Sequence, residues 1–165
     1  MRKTILATTL TLALGGFSSL GLAAEPAAPA SEEQNSLSLL RASLRMDKRE
    51  FIKAAVALDA KQSEKFWSLY HQYEAELMKL NDQRAKLIED YAANFDKITD
   101  AKADKLAKTA FELQKARQSL LENYYKKVAK AVSPTVAARF AQAENVVNSA
   151  LDVKLGTSIP LMPKQ

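Results

Sequence analysis

Apolar residues recur along this chain at helical spacing, in four runs separated by short polar breaks. Within residues 36–58, Leu37, Leu40, Leu44, Phe51, Ala55 and Leu58 fall on one helical face. A restart is available inside this run: Asp47 can cap, Glu50 can reach back as its capping-box partner, and Met46 can pack on Phe51 as a hydrophobic staple. The run reads as one bent helix or as two short ones. The second run is sharper. Asp59 and Gln62 have capping-box spacing, and Phe66, Tyr70, Tyr73, Leu77, Leu80, Arg84, Leu87 and Tyr91 then alternate steps of four and three, the coiled-coil period. A helix over 60–93 would be about 50 Å long at about 1.5 Å per residue.

The polar stretch 94–100 turns the chain, with Thr99 or Asp100 as the next cap. A return seam follows: Leu106, Ala110, Leu113, Arg117, Leu120, Tyr124, Lys127 and Ala131. Beside it runs a second stripe of Phe111, Leu121, Tyr125, Val128 and Val132. Two helices of matched length joined by a short connection predict a long antiparallel hairpin. Ser133 caps the last run with Pro134 at the first helical position, and Val136, Phe140, Ala143, Val147 and Leu151 line one face. Gly156 is expected to end this helix, and the apolar tail 159–163 to pack back. Leu58-Asp59 with Phe66, Ile98-Thr99 with Leu106, and Val132-Ser133 with Phe140 repeat one pattern. Good capping of amphipathic helices accounts for it without internal duplication.

Composition narrows the fold class. Of four glycines, three stand in the first 21 residues, and from Ala30 through Ser133 there is neither Gly nor Pro. A sheet-containing domain of this size would need turns built from them. The fold class is therefore all-α: a long antiparallel helical hairpin with flanking shorter helices. Cysteine is absent, which excludes disulfides, thiolate metal sites and a Cys nucleophile, and a lone His71 excludes any histidine cluster.

The start of the chain reads as an address. Met1-Arg2-Lys3, a weakly apolar run to Leu22, and small residues at Gly21 and Ala23 predict a secretory signal cleaved after Ala23. Residues 24–35, rich in Ala and Pro at their start, read as a disordered leader, 36–155 as the helical domain and 156–165 as a tail. Without Arg2 and Lys3 the formal charge falls from +5 to +3, since the first 23 residues hold no acid. The remaining bases are interspersed with acids, which is not the footprint of a nucleic-acid binder. The mature chain is expected to be periplasmic, with no integral span after cleavage.

Leu58-Asp59-Ala60-Lys61-Gln62 and Val132-Ser133-Pro134-Thr135-Val136, in an exported chain without cysteine, resemble the motif of the LTxxQ family of Spy/CpxP-like exported helical proteins. Asp59 stands where that motif has Thr, and Val136 where it has Gln. Lys65-Phe66-Trp67, Tyr70-His71-Gln72-Tyr73-Glu74 and the stretch 138–145 look like a group of proteobacterial exported proteins related to that family in layout. The resemblance spans residues 47–150. It implies a curved antiparallel dimer that acts as an ATP-independent periplasmic chaperone or as a modulator of envelope-stress signalling.

Candidate chemistry is sparse. Catalytic groups need a rigid shell, usually with loops at the chemistry, and this chain offers few loops. Glu64, Glu74, Glu76, Asp82, Glu89 and Asp90 read as the solvated face of one helix. His71 with Glu74 is an i, i+3 pair that offers two ligands where structural zinc takes four. Lys126, Lys127 and Lys130 complement the negative pole of the return helix. Trp67, Tyr70 and Tyr73 are explained by core or interface packing. Their functional alternative, together with Phe111 and Tyr125, is an adaptable surface for apolar client segments. Arg84 and Arg117 interrupt the two seams in nearly the same layer, without a carboxylate at i±3 or i±4. Either they snorkel to water, the preferred reading, or a carboxylate from another segment or subunit meets them.

No catalytic, cofactor or metal residue is expected. The function expected is that of a helical binding protein whose partners are unfolded or partner polypeptides of the envelope, with a second copy available to cover the outer stripe. The alternatives are an envelope structural or adaptor protein with one specific partner, or a metal-responsive accessory protein acting through His71.

Overall fold

The computed structural model describes residues 45–164. The expected signal peptide, the leader and Leu37, Leu40 and Leu44 lie outside the described residues. Among the described residues all regular structure is helical: α1 over 45–56, α2 over Ala60–Asn94, a single 3-10 turn over Phe95–Lys97, α3 over Asp100–Ala131 and α4 over Pro134–Ser158.

Each long helix begins at a cap that the sequence announces. The Asp59 carboxylate accepts the Gln62 N–H at 2.8 Å while the Gln62 side chain accepts the Asp59 N–H at 3.3 Å, completing a capping box. At α3 it is the Thr99 hydroxyl that accepts the Lys102 N–H, leaving Asp100 as the first helical residue. Ser133 accepts the Val136 N–H at 3.2 Å, with Pro134 where its missing N–H costs nothing.

One open alternative is decided and one local expectation is corrected. The available restart at Asp47 is not used: α1 runs through it, with Asp47 and Glu50 exposed, and the break falls at 57–59 instead. Ile52 and Val56 form the stripe that α1 buries, with Lys48 half-buried one turn before them, whereas Phe51, placed on the apolar face by its spacing, is exposed. Gly156 does not end α4. The helix continues to Ser158, where the Thr157 and Ser158 hydroxyls bond carbonyls of the last turn and Ile159 N–H reaches Leu155 O. Pro160 then disfavours the helical conformation for the residue before it, and the chain leaves.

The hairpin forms as expected. Helices α2 and α3 pack antiparallel, tied by Tyr124 Oη donating to Glu76 at 2.7 Å near one end and by Lys102–Asp90 at 2.6 Å near the turn. Helix α4 returns along α3, its side chains reach α2 from the Phe66–Phe140 ring pair to the Arg84–Asp152 bond, and beyond its end the Pro160 carbonyl accepts from the Tyr91 hydroxyl. Helix α1 runs antiparallel to α2, with Arg49 on Glu74 and Arg45 at the Met78 sulfur. Where all four helices meet, Ile52, Val56, Phe66, Tyr70, Tyr73, Tyr124, Val128 and Phe140 are almost wholly shielded. Toward the turn only Leu106 is buried, and Leu80, Leu87 and Leu113 are half-buried.

The second stripe of α3 is covered within the chain: Leu121 and Val128 are buried and Tyr125 and Val132 half-buried against the core cluster, while Phe111 stays open. Lys127, placed on the seam by its spacing, instead faces outward with its ammonium 3.9 Å from the Tyr124 ring centre. A straight helix of 3.6 residues per turn drifts against a 3.5-residue repeat, so the far end of a long seam rotates off the contact. Of the tail, Ile159 is half-buried but Leu161 is fully exposed, so the tail packs back only at its start.

Candidate functional site

Two polar clusters are built where α4 crosses the hairpin. The first centres on Glu144, which follows Phe140 by one turn on the apolar face of α4 and is wholly shielded from solvent. Tyr70 donates to its Oε1 at 3.2 Å and Tyr73 to its Oε2 at 2.9 Å, while the Lys48 ammonium lies 2.9 Å from Oε1. Lys48 also sits 5.8 and 5.6 Å from the centres of the Tyr70 and Tyr73 rings. A buried carboxylate is tolerated only when paired and hydrogen-bonded, and both conditions are met. Burial pushes both phenols well above their ordinary range, and the negative field of Glu144 and the bonds to it push further the same way. Both tyrosines are therefore fixed donors. Phe140 closes the cluster from α4, its ring edge-on to Tyr73 at 5.2 Å and to Tyr70 at 6.1 Å.

The second cluster answers the question posed by Arg84 and Arg117. Both meet Asp152 of α4: Arg117 through two bonds at 3.1 and 2.6 Å, Arg84 through one at 2.7 Å. The preferred expectation of snorkelling is thus replaced by its alternative, a carboxylate from another segment of the same chain. The reason is tertiary, since α4 lays Asp152 across the layer where the two seams carry their guanidiniums. The bonds from Arg117 hold the Asp152 carboxyl below its ordinary range against an opposing effect of burial, with Arg84 adding to the lowering. An open groove of about 300 Å³ adjoins the cluster, lined by Leu80, Leu87, Leu113 and Gln114 among others.

The residues singled out for a binding surface separate. Tyr70 and Tyr73 are sealed in the core, so they belong to no open surface in this conformation; Trp67 and Tyr125 are half-buried, and Phe111 is 69% exposed. Trp67 lies edge-on to Phe66 and Tyr70, which is core packing. His71 is exposed beside Trp67, and Glu74 is engaged by Arg49 at 2.6 Å. Among the described residues no group of three or more His, Asp or Glu is placed to hold a metal, and no helix is long and apolar enough to cross a membrane.

Sequence reasoning passed over Lys48 and Glu144. Glu144 had a weak signal: it stands beside the stripe Val136, Phe140, Ala143, Val147, one turn after Phe140. Lys48 had a weaker one, one turn ahead of Ile52 and two ahead of Val56.

The chain matches no family model, no curated protein and no solved structure.

Proposed function

We propose that this protein is a periplasmic helical binding protein of the Spy/CpxP-like kind, which holds unfolded or partner polypeptides without nucleotide and performs no reaction. The observation that carries the reading is where polar and apolar groups stand. The most organised polar cluster is turned inward, with Glu144 sealed among tyrosines, whereas large apolar side chains are left on helix surfaces. Phe111 on α3 and Val146 and Val153, seven residues apart on α4, are all more than half exposed, with Leu151 and Met78 nearly so. Exposed apolar side chains on a rigid, charged helical frame suit weak, adaptable contact with other chains.

The test is suppression of aggregation of several unrelated unfolding proteins by stoichiometric amounts of the chain without ATP, together with photocrosslinking in the exported compartment from a probe replacing Phe111. Protection of many clients and many crosslinked species are expected. A single dominant crosslinked species with no protection would replace the chaperone reading with that of an adaptor, and neither protection nor capture would remove both.

A further inference from the structure

The Glu144 cluster has an unequal origin. The carboxylate, both tyrosines and Phe140 belong to α2 and α4, and only the cation comes from α1. With Lys48 taken away, Glu144 would still hold one donor on each oxygen, and the faces of two tyrosine rings would still flank the vacated place. That is a receptor for an ammonium or guanidinium group, made of a fixed carboxylate and aromatic faces, and it exists independently of the residue that fills it.

Helix α1 meets the body of the protein through a narrow stripe. Within its 12 described residues only Ile52 and Val56 are fully buried, one and two turns after Lys48, and Met46 and Phe51 on other faces are exposed. A helical segment held through so few buried side chains depends on what it docks against. Its connection to α2 is three residues long and contains Ala57 at φ 49°, the one non-glycine residue with positive φ among the described residues. A left-handed alanine is a strained residue at the junction of α1 and α2.

We propose that α1 occupies the protein's own client-binding cleft and is displaced there by an amphipathic helical segment bearing a lysine or arginine, with aliphatic residues one and two turns after it. The exchange is like for like: the client's cation replaces Lys48 on Glu144 and its aliphatic pair replaces Ile52 and Val56. Glu144 is therefore paired before and after. A client helix lacking the cation would leave a buried carboxylate without its counter-charge, which disfavours it. Glu74, which pairs with Arg49 at the rim, favours a second adjacent cation. This inference rests on the binding function proposed above and names the segment class it would take.

Because the chain has no cysteine, α1 can be locked without side reactions. In the exported protein, Arg49→Cys and Glu74→Cys are joined by a reducible bismaleimide; the same variant capped singly at each thiol is the control, with far-UV circular dichroism checking that both are folded. The probe is a fluorescent peptide with the sequence of residues 45–58, read by anisotropy, beside the same peptide with glutamine in place of Lys48. The capped variant is expected to bind the first peptide at least tenfold more tightly than the locked one, with binding restored on reduction, and at least tenfold more tightly than it binds the glutamine peptide. Equal binding to locked and capped protein, or no preference for the lysine peptide, overturns the inference. The aggregation assay separates the two ideas: protection of clients that locking leaves unchanged sinks the displaceable helix and spares the binding function. Absence of protection in the wild-type chain sinks the binding function while the peptide still decides the cleft.

Discussion

Removing one hydroxyl at a time from the Glu144 cluster tests whether the buried carboxylate is held as the geometry describes. Tyr73 donates to Oε2 at 2.9 Å, whereas Oε1 is shared by Tyr70 at 3.2 Å and Lys48 at 2.9 Å. Tyr73→Phe therefore leaves one oxygen of a sealed carboxylate without a partner, and Tyr70→Phe leaves neither so. Hydrogen bonds to a charged group contribute about 1.5–3 kcal/mol, and stranding a buried acceptor incurs its desolvation penalty, so Tyr73→Phe should cost about 2–3 kcal/mol. Tyr70→Phe, which removes the longer of two bonds to the same oxygen, should cost about 0.5–1.5 kcal/mol. Both rings remain, so apolar packing is nearly unchanged. Urea unfolding followed by circular dichroism and by Trp67 fluorescence, whose indole touches Phe66 and Tyr70 edge-on, gives both numbers. With an m-value of about 1.5 kcal/mol/M, the midpoint should fall by about 1.5 M for Tyr73→Phe and by about 0.6 M for Tyr70→Phe, with the slope unchanged. Tyr70→Phe costing as much as Tyr73→Phe, or both falling within about 0.3 kcal/mol of wild type, would refute the assignment of donors to oxygens.

Other outcomes follow from the same structure. Phe140, buried and edge-on to three aromatic rings, should cost about 3–5 kcal/mol on replacement by Ala, read as loss of a cooperative thermal transition or a large fall in Tm. Asp59→Ala removes the side-chain acceptor of the α2 capping box, leaving the backbone N–H that Gln62 accepts, and should cost about 1 kcal/mol in urea unfolding, while Asp59→Ser should recover most of it. The Asp152 carboxyl is held below its ordinary range, so its contribution to stability is present above its unfolded-chain pKa of about 4 and is lost as pH falls through the folded value. Thermal melts of Asp152→Asn should therefore lack part of the wild-type decline in acid. Tyr70 and Tyr73 are raised and Tyr124 is pushed up to about 12, with burial the main cause in each. The unfolded chain then loses phenolic protons first, so stability should decline once pH exceeds about 10, less steeply in the two phenylalanine variants.

Capping and periodicity are local matters, and the chain wrote them plainly. Asp59 with Gln62, Thr99, and Ser133 with Pro134 start three helices because a side chain within three residues satisfies an otherwise orphaned N–H, and no distant residue is needed. The absence of Gly and Pro between Ala30 and Ser133 favoured long helices over sheet, and two matched lengths joined by a short polar break pointed to a hairpin. What the linear pattern left undecided was the choice of partner for every charged residue on an apolar face. Arg84 and Arg117 were visible as interruptions, yet Asp152 follows Arg117 by 35 residues and meets it only because α4 doubles back over the hairpin. Lys48, the Tyr70–Tyr73 pair and Glu144 converge from three helices, and nothing within four residues of the lysine or of the glutamate announces the other two. Helical propensity and capping act over one turn, whereas a buried charge is settled by whichever opposite charge the packing brings within about 3 Å. The same physics decided which aromatics face water: the spacing marked Tyr73 and Phe111 alike as apolar positions, and only the placement of α1 and α4 sealed the first and left the second exposed.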